Sequence, residues 1–413
     1  MPDTIGFLSL PTESIATWSV ALVLAFGLTV GCGSSGANSS TVPDGGVAPD
    51  GGVETSTNDG DGAGGGDDGA GGSDGTGGAP ARDSGPLPGS DATAPPSSWI
   101  NATGNLAGMP SECGNLTLVS AEPTSSLVIA GVALHGLYAT QDGGKTWHAL
   151  GSGAGSASIT NRPSSIVYDP AHSDVFWESG IYNGGGVYKT TDNGVTLLGL
   201  GKITHNDLVS VDFTDPARKT LLVGGHEQKQ TLYRSTDGGG TWTNVGLNLP
   251  AASHFSSAPI VIDGQTHLVG CCGWGSGTCG VWRTNNGGTS WTSVSTLSVA
   301  GTPLRATSGA IFWPIIYGGG MAKSTDQGQS WTQAVKGTVT STPVELPDGR
   351  IVSIGNDHLM ISSDGATWTA IGDPLPFKAS GVAYSAQTKA FFIWHNDCGN
   401  AVLADAIMSA GFN

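Results

Sequence analysis

Basic residues are scarce in this chain. Sixteen lysines and arginines stand against 33 aspartates and glutamates, which gives a formal net charge of −17 over 413 residues. Residues 33–98 hold ten acidic residues against the single Arg82, whereas residues 99–413 hold 21 acidic residues against 15 basic ones. A protein that binds nucleic acid needs a basic surface to neutralise phosphates. We therefore expect no nucleic-acid partner.

The apolar run near the N-terminus lacks the length of a membrane span. Residues 15–30 are uncharged and mostly apolar, but a spanning helix needs ~20 residues, and this run suits the core of a signal peptide. It ends in Leu28-Thr29-Val30-Gly31-Cys32, which resembles the bacterial lipobox. The resemblance implies that residues 1–32 are a lipoprotein signal peptide and that Cys32 is lipidated. An ordinary cleaved signal with an incidental Cys is the alternative. No lysine or arginine precedes the run, whereas a signal peptide normally starts with basic residues.

Residues 33–98 have few apolar side chains and consist almost entirely of Gly, Asp, Ser, Thr, Ala and Pro. Such a segment cannot bury enough apolar surface to offset its ordering entropy, so we expect a disordered linker. Residues 99–413 carry evenly spread Trp, Val, Ile and Leu, enough for one sizeable all-β core. The leader and Gly33 after Cys32 resemble those of outer-membrane lipoproteins, which implies a location at the outer membrane or cell surface.

A motif of the form S/T-x-D-x-G-x-T/S-W repeats along residues 99–413. It occurs at residues 140–147, 235–242 and 324–331, and in degenerate form at residues 190–197, 284–291 and 362–368. We call these six segments the boxes. Two degenerate boxes have Leu197 in place of Trp and Asn286 in place of Asp. The Asp carboxylate accepts hydrogen bonds from turn amides and Gly supplies positive φ, so each box predicts a tight hairpin.

The spacing of the boxes predicts the architecture. Their ends are on average about 44 residues apart, the length of one four-stranded propeller blade, so residues 99–413 provide about seven blades. Residues 381–384, 390–394 and 406–409 read as three strands of the last blade, and residues 99–106 would supply its outer strand. The sequence predicts an all-β fold with a single seven-bladed β-propeller, and six blades is the alternative.

The boxes resemble those of the Asp-box (BNR-repeat) β-propellers, which include sialidases, xyloglucanases, sortilin-type receptors and photosystem assembly factors. The resemblance implies a fold rather than a function, because the boxes of this family are structural hairpins away from the usual ligand face. A sialidase is disfavoured, since it needs three arginines for its substrate and only Arg162 and Arg305 look available. A tandem xyloglucanase needs two propellers, and residues 99–413 have room for one.

The polar residues that could carry chemistry fall mainly on one face, which we call the rim face. It is formed by the loops that lead into the first strand of each blade and those that join its second and third strands. His205 and Asp207 precede one first strand, and His226 and Glu227 follow the next strand. Adjacent antiparallel strands place these ends together, where imidazoles and carboxylates can act as general acid and base. Hydrogen-bonded loop residues without chemistry are the alternative.

Other residues are assigned to the same face. Tyr182 is a further catalytic candidate, and Glu178 is a candidate acid. Aromatic rings can stack on the apolar faces of sugars, although inter-blade packing is the alternative for them. The candidate substrate-binding residues are Arg162, Arg305, Trp274, Trp313, Tyr317, His135 and His358. No HExxH or comparable ligand spacing occurs, so metal binding by the histidines and carboxylates is the weaker alternative, and we expect no metal and no cofactor.

Two classes of function fit these residues. The first is an enzyme that acts on extracellular polysaccharide. As a lyase on uronate-containing glycans it would use an arginine to neutralise the carboxylate and His205, His226 or Tyr182 to take the adjacent proton. As a glycoside hydrolase it would use Glu178, Asp207 or Glu227. The second class is a non-catalytic surface module that binds glycan or protein. In either case we expect a monomer held at the membrane by its lipid anchor.

Cysteines are few, six in all. An exported protein lies in an oxidising compartment, and Cys113 and Cys398 flank strands at the predicted seam of the ring, so we expect them to form a disulfide. Cys271, Cys272 and Cys279 remain. Either Cys279 pairs with one of the other two, or Cys271 and Cys272 form a vicinal bridge.

Overall fold

The computed structural model describes residues 98–111, 116–251, 257–271, 280–316, 319–334, 339–396 and 402–412. These residues form a seven-bladed β-propeller, with two single-turn 3₁₀ helices at Gly104–Leu106 and Gly246–Asn248. No helix among the described residues is long and apolar enough to cross a membrane. The predicted signal peptide and linker, and with them Cys32, lie outside this part of the chain.

Each blade is a four-stranded antiparallel sheet, and the blades follow one another along the chain. After β1 (Ile100–Asn101), the strands are β2 (Leu116–Ala121), β3 (Val128–Val132), β4 (Gly136–Thr140) and β5 (His148–Ala149) in blade 1; β6 (Arg162–Asp169), β7 (His172–Ile181), β8 (Val187–Thr190) and β9 (Leu198–Gly199) in blade 2; β10 (Asn206–Val211), β11 (Leu221–Gly225), β12 (Leu232–Ser235) and β13 (Thr243–Asn244) in blade 3; β14 (Ser257–Val261), β15 (His267–Cys271), β16 (Gly280–Thr284) and β17 (Thr292–Ser295) in blade 4; β18 (Leu304–Arg305), β19 (Ile311–Ile315), β20 (Gly320–Ser324) and β21 (Thr332–Ala334) in blade 5; β22 (Val344–Glu345), β23 (Ile351–Gly355), β24 (His358–Ser362) and β25 (Thr369–Ile371) in blade 6; and β26 (Gly381–Ser385), β27 (Ala390–Trp394) and β28 (Ile407–Gly411) in blade 7.

The ring closes by pairing the two ends of the propeller. Strand β1 adds to β28 as the outer strand of blade 7, with Ile100 opposite Ser409 and Asn101 opposite Met408. The backbone N–H of Ala102 extends this pairing by donating to the carbonyl of Ile407 at 2.9 Å. The predicted seven blades and their closure are confirmed, and the six-bladed alternative is wrong.

The core lies between neighbouring blades. Trp177 and Val187 of blade 2 pack against Val209 and Leu221 of blade 3 in one such layer. The first strands of neighbouring blades lie against one another and form the inner ring of the propeller. Because successive side chains of a strand point to opposite faces of the sheet, each blade feeds the layer on both of its sides. The ring is thus stabilised by burial around its whole circumference.

The boxes form the turns between the third and fourth strands, on the face opposite the rim face, which we call the box face. In the first box, Asp142 Oδ1 accepts bonds from Thr140 Oγ1 at 2.7 Å and from the N–H groups of Lys145 and Thr146 at 3.0 Å each. These bonds hold the pKa of Asp142 at about 2. Gly144 has φ of 89°, and a Cβ there would lie 2.4 Å from the carbonyl oxygen of Ala102. The turn therefore requires glycine.

Candidate functional site

The structure brings together the rim residues at the junction of blades 2 and 3. Tyr182 follows β7 of blade 2, His205 precedes β10, and His226 and Glu227 follow β11. The imidazoles of His205 and His226 lie side by side with ring centroids 5.0 Å apart, as the sequence led us to expect. The phenol ring of Tyr182 covers both, at centroid distances of 4.8 Å from His205 and 5.3 Å from His226. We call these four residues and Asp207 the rim cluster.

His226 lies at the centre of a hydrogen-bonded chain. Its Nδ1 is 2.6 Å from Asp207 Oδ1 and its Nε2 is 3.1 Å from Tyr182 Oη. A carboxylate accepts hydrogen bonds, so Nδ1 carries the proton and Nε2 of the neutral ring accepts the phenolic proton. The His226 side chain is 4% exposed, and that of Asp207 is 17% exposed. The chain Asp207–His226–Tyr182 thus fixes the tautomer of a buried imidazole.

His205 is the more accessible of the two histidines. Its Nδ1 accepts the backbone N–H of Tyr182 at 3.2 Å, so in the neutral ring Nε2 carries the proton. Partial burial, and next the neighbouring His226, lower the pKa of His205. The side chain of Gln228 and the backbone of His226 both donate to the carbonyl of His205. His205 is therefore held in place as a neutral donor at the mouth of the cluster.

The backbone at the cluster is strained. Tyr182, His205 and Glu227 have φ angles of 56°, 62° and 51°. Side chains other than glycine rarely adopt this left-handed region, and each such residue costs of order 1–3 kcal/mol. Such strain persists where the surrounding structure imposes it and is concentrated at functional sites. The three residues show that the surrounding structure holds the loops of the cluster in their conformation.

Glu227 completes the cluster on its exposed side. Its carboxylate Oε1 is 3.7 Å from His226 Nε2, and the side chain is 42% exposed. One potential ligand atom each of His205, His226 and Glu227 lie within 4.8 Å of one another. The arrangement has the donors of a metal site, although no metal motif is visible in the sequence.

Glu178 does not lie on the rim, contrary to the prediction. It lies in the middle of β7 and is completely buried, with Asn161 Nδ2 3.4 Å from its Oε2. Burial raises the pKa of Glu178 well above its usual range. Because the Glu178 carboxyl is enclosed, it cannot reach a substrate and cannot serve as the acid of a hydrolase. The sequence prediction missed Asn161 as its partner.

Two further predictions of substrate-binding residues are wrong. Trp313 is fully buried in the core, with its Nε1 donating to the carbonyl of Gly301 at 3.1 Å. Arg305 ends β18 and leads into the turn to β19, which places it on the box face, where Nη1 donates to the carbonyl of Val261 at 2.7 Å. Neither side chain can reach a ligand at the rim cluster.

The remaining candidates are divided between the rim and undescribed segments. Arg162 begins β6 and pairs with Ile181, directly beside Tyr182. His135 is exposed in the turn between β3 and β4, and His358 begins β24, so both share the rim face but belong to blades 1 and 6. The predicted residues Trp274, Tyr317, Cys113, Cys398, Cys272 and Cys279 lie outside the described residues, and the disulfide stays a prediction.

Comparison with known proteins points to one class of propeller. The family of the photosynthesis system II assembly factor YCF48 matches residues 200–390. A xyloglucanase of Paenibacillus sp. is 26% identical over 251 residues, which are 56% of this chain and 21% of that protein. The chain thus spans about a fifth of the length of this curated relative.

Solved structures share the fold at low identity. The extracellular domain of a protein described as a hybrid two-component system of B. thetaiotaomicron has a TM-score of 0.52 at 12% identity, over 72% of this chain and 40% of that one. YCF48 bound to D1 peptide has a TM-score of 0.49 at 15% identity, over 77% of this chain and 96% of that one. The seven blades show a β-propeller, and the sequence matches support a propeller of the BNR type.

Proposed function

We propose that the protein is a carbohydrate-active propeller that binds extracellular polysaccharide on its rim face and transfers protons at the rim cluster. The observation that carries this proposal is the hydrogen-bonded chain from Asp207 through His226 to Tyr182. The xyloglucanase relative supports polysaccharide as the substrate class. The acidic balance of the chain argues against phosphate-rich ligands.

Asp207, His226 and Tyr182 are arranged like the members of a catalytic triad, with tyrosine in place of serine. His226 Nε2 accepts the phenolic proton, which leaves Tyr182 as the base that meets substrate. Asp207 holds the imidazole in the correct tautomer and stabilises the imidazolium that forms. Because His226 is buried, the ion pair between its imidazolium and the Asp207 carboxylate forms away from water, where the electrostatic attraction is strong. Tyr182 would be the catalytic residue and Asp207 a positioning residue.

The reaction that suits this base is elimination beside a uronate carboxylate. Tyr182 would remove the proton at C5, the electron pair would form a C4–C5 double bond, and the C4–O bond would break. The departing oxygen needs a proton, and His205 Nε2–H is a donor in the cluster. Arg162, beside Tyr182 on the rim, would neutralise the carboxylate. A hydrolase fits less well, because Glu178 is enclosed and Asp207 is bonded to His226.

The test is a panel of uronate-containing polysaccharides, with absorbance of unsaturated uronate as the readout. One member should yield product, and Tyr182→Phe, which removes a single oxygen, should lower turnover about 100-fold or more. Tyr233→Phe in β12 of blade 3 is the matched control and should be unaffected. Absence of product from every polysaccharide, or full activity of Tyr182→Phe, would overturn the proposed reaction.

A non-catalytic role is the second candidate. Its supporting observation is that His226 is buried with both ring nitrogens hydrogen-bonded, as in a structural histidine. The family match to an assembly factor extends the candidate ligands to proteins. This alternative predicts binding of polysaccharide or protein at the rim with no product, and it predicts weaker affinity for His205→Ala.

A further inference from the structure

The rim cluster has the geometry of a cation site as well as that of a proton relay. Ligand atoms of His205, His226 and Glu227 lie within 4.8 Å of one another, with His226 Nε2 and Glu227 Oε1 3.7 Å apart. Ligands at about 2.0–2.2 Å from a zinc ion are roughly 3.4 Å apart when tetrahedral. The 3.7 Å between His226 Nε2 and Glu227 Oε1 is close to that spacing, and the exposed Glu227 side chain is able to shorten it.

The surroundings of His226 resemble those of a metal ligand. Histidines that bind metals almost always donate their other ring N–H to a carboxylate or carbonyl, which fixes the tautomer and raises ligand basicity. Here Nδ1 donates to Asp207 at 2.6 Å, and Nε2 points to Tyr182 and Glu227. Asp207 is thus placed as the outer partner of a His226 ligand.

Tyr182 supplies a fourth donor. Its Oη lies 3.1 Å from His226 Nε2, a separation that also suits two ligands of one cation. A cation on Nε2 would replace the phenolic proton in that hydrogen bond, since the nitrogen has a single lone pair. Coordination by the Tyr182 oxygen as a phenolate would break its O–H bond and release that proton to solvent, as metal binding to protonated ligands does.

We propose that the rim cluster binds one divalent transition-metal cation, with zinc the best fit. Two imidazoles and one carboxylate match the donors of known zinc sites. Calcium and magnesium prefer oxygen donors, so the two imidazoles select against them. The cation site shares its residues with the proposed reaction and competes with it: a cation on His226 Nε2 occupies the lone pair that would accept the proton of Tyr182, so zinc should inhibit elimination rather than support it.

Cobalt titration of the purified protein tests this site, with free thiols first blocked by iodoacetamide so that cysteines do not compete. One equivalent of Co²⁺ should bind and give a visible absorption band typical of four- or five-coordinate cobalt, and one equivalent of Zn²⁺ should displace it. Lowering the pH should weaken binding because protons compete for the same donors.

Matched variants locate the cation. His205→Ala and Glu227→Gln should each weaken binding about 10-fold or more, and Asp207→Asn about 10–100-fold, the usual effect of removing an outer partner. His135→Ala and His358→Ala, on the same face in other blades, should bind as the unmodified protein does. Glu227 is exposed, so its substitution leaves the fold intact.

Two results would overturn the proposal: no retained cation, or equal affinity in His205→Ala, Glu227→Gln and the unmodified protein. Turnover is measured with chelator present, so that the test of the proposed reaction is separate from the test of cation binding. Product formed with chelator present, together with no Co²⁺ binding in the titration, would reject the cation site alone. Co²⁺ binding in the titration, together with no product when chelator is present, would reject the elimination alone.

Discussion

A buried ion pair joins blades 2 and 3 on the box face, and its loss should destabilise the propeller. Asp169 ends β6, and Arg218 lies in the turn between β10 and β11. Arg218 donates from Nε and Nη2 to the two Asp169 oxygens at 2.9 Å each, and from Nη1 to the carbonyl of Asp215 at 2.7 Å. Both residues are less than a tenth exposed. The pair is therefore bidentate and shielded from solvent.

The loss of stability expected when the ion pair is broken can be calculated from the pKa of the Asp169 carboxyl. Hydrogen bonds from Arg218 outweigh the cost of burial and lower the pKa of Asp169 from 3.8 to about 2. That difference corresponds to roughly 2–3 kcal/mol of stability. Arg218→Ala leaves the carboxylate buried without its partner, so we expect a loss of about 3–5 kcal/mol at pH 7. Arg218→Lys keeps the charge but loses the bidentate geometry and should be intermediate.

Urea unfolding at a series of pH values measures the stability that the Asp169–Arg218 ion pair contributes. The folded pKa lies below the unfolded one, so the stabilisation is complete above pH 4 and is lost as the pH falls through about 2. The stability difference between the protein and Arg218→Ala should shrink over that window. Arg350→Ala is the control, because its pair with Asp348 is partly exposed and worth at most about 1 kcal/mol. Equal losses for the two variants at pH 7 would refute the reasoning.

Three further predictions concern other parts of the chain. Burial lowers the pKa of His267 to about 4, so stability should fall by about 3 kcal/mol as the pH drops from 6.5 to 4, and His267→Leu should flatten this profile in urea unfolding. Asp207→Asn should lower any turnover about 100-fold or more, while the nitrogen chemical shifts of His226 report a changed tautomer. Cys32→Ser should abolish membrane association on fractionation; unchanged membrane binding would reject the lipid anchor.

The blade count was predictable because the boxes recur in register. Their spacing fixes the repeat, and the degenerate copies still work: Asn286 Oδ1 accepts the backbone N–H of Ser290 at 3.0 Å, as Asp does in other boxes. The closure by β1 followed from counting strands after the last box. The pairing of two chain ends usually cannot be predicted from local sequence. Here it could, because the repeat shows that the last blade lacks one strand.

The residues of the site could be predicted from the sequence only where the ends of the strands could be predicted. His205 directly precedes β10 and His226 directly follows β11, as expected, although Asp207 lies inside β10 rather than before it. Strand β7 runs for ten residues, so Glu178 fell in its buried middle. Strand β18 has two residues, which put Arg305 on the opposite face. Strand β19 is buried throughout, so no alternation revealed that Trp313 faces the core.

The contact between Tyr182 and His226 could not be read from the sequence. It joins loops of two different blades, and it depends on positive φ angles at Tyr182 and His205. Such angles are uncommon outside glycine, so no residue pattern predicts them. Which loop residues of neighbouring blades meet is decided by these backbone angles and by packing between the blades.

The most direct test of the central claim compares the two faces of the propeller. Affinity for the polysaccharide that the panel identifies should be measured for His205→Ala on the rim face and for Arg305→Ala on the box face. The proposed site predicts about 10-fold or greater weakening for His205→Ala, as expected when a polar contact worth ~1.4 kcal/mol is lost, and no change for Arg305→Ala. Weakening by Arg305→Ala with unchanged binding of His205→Ala would contradict the assignment of the rim face.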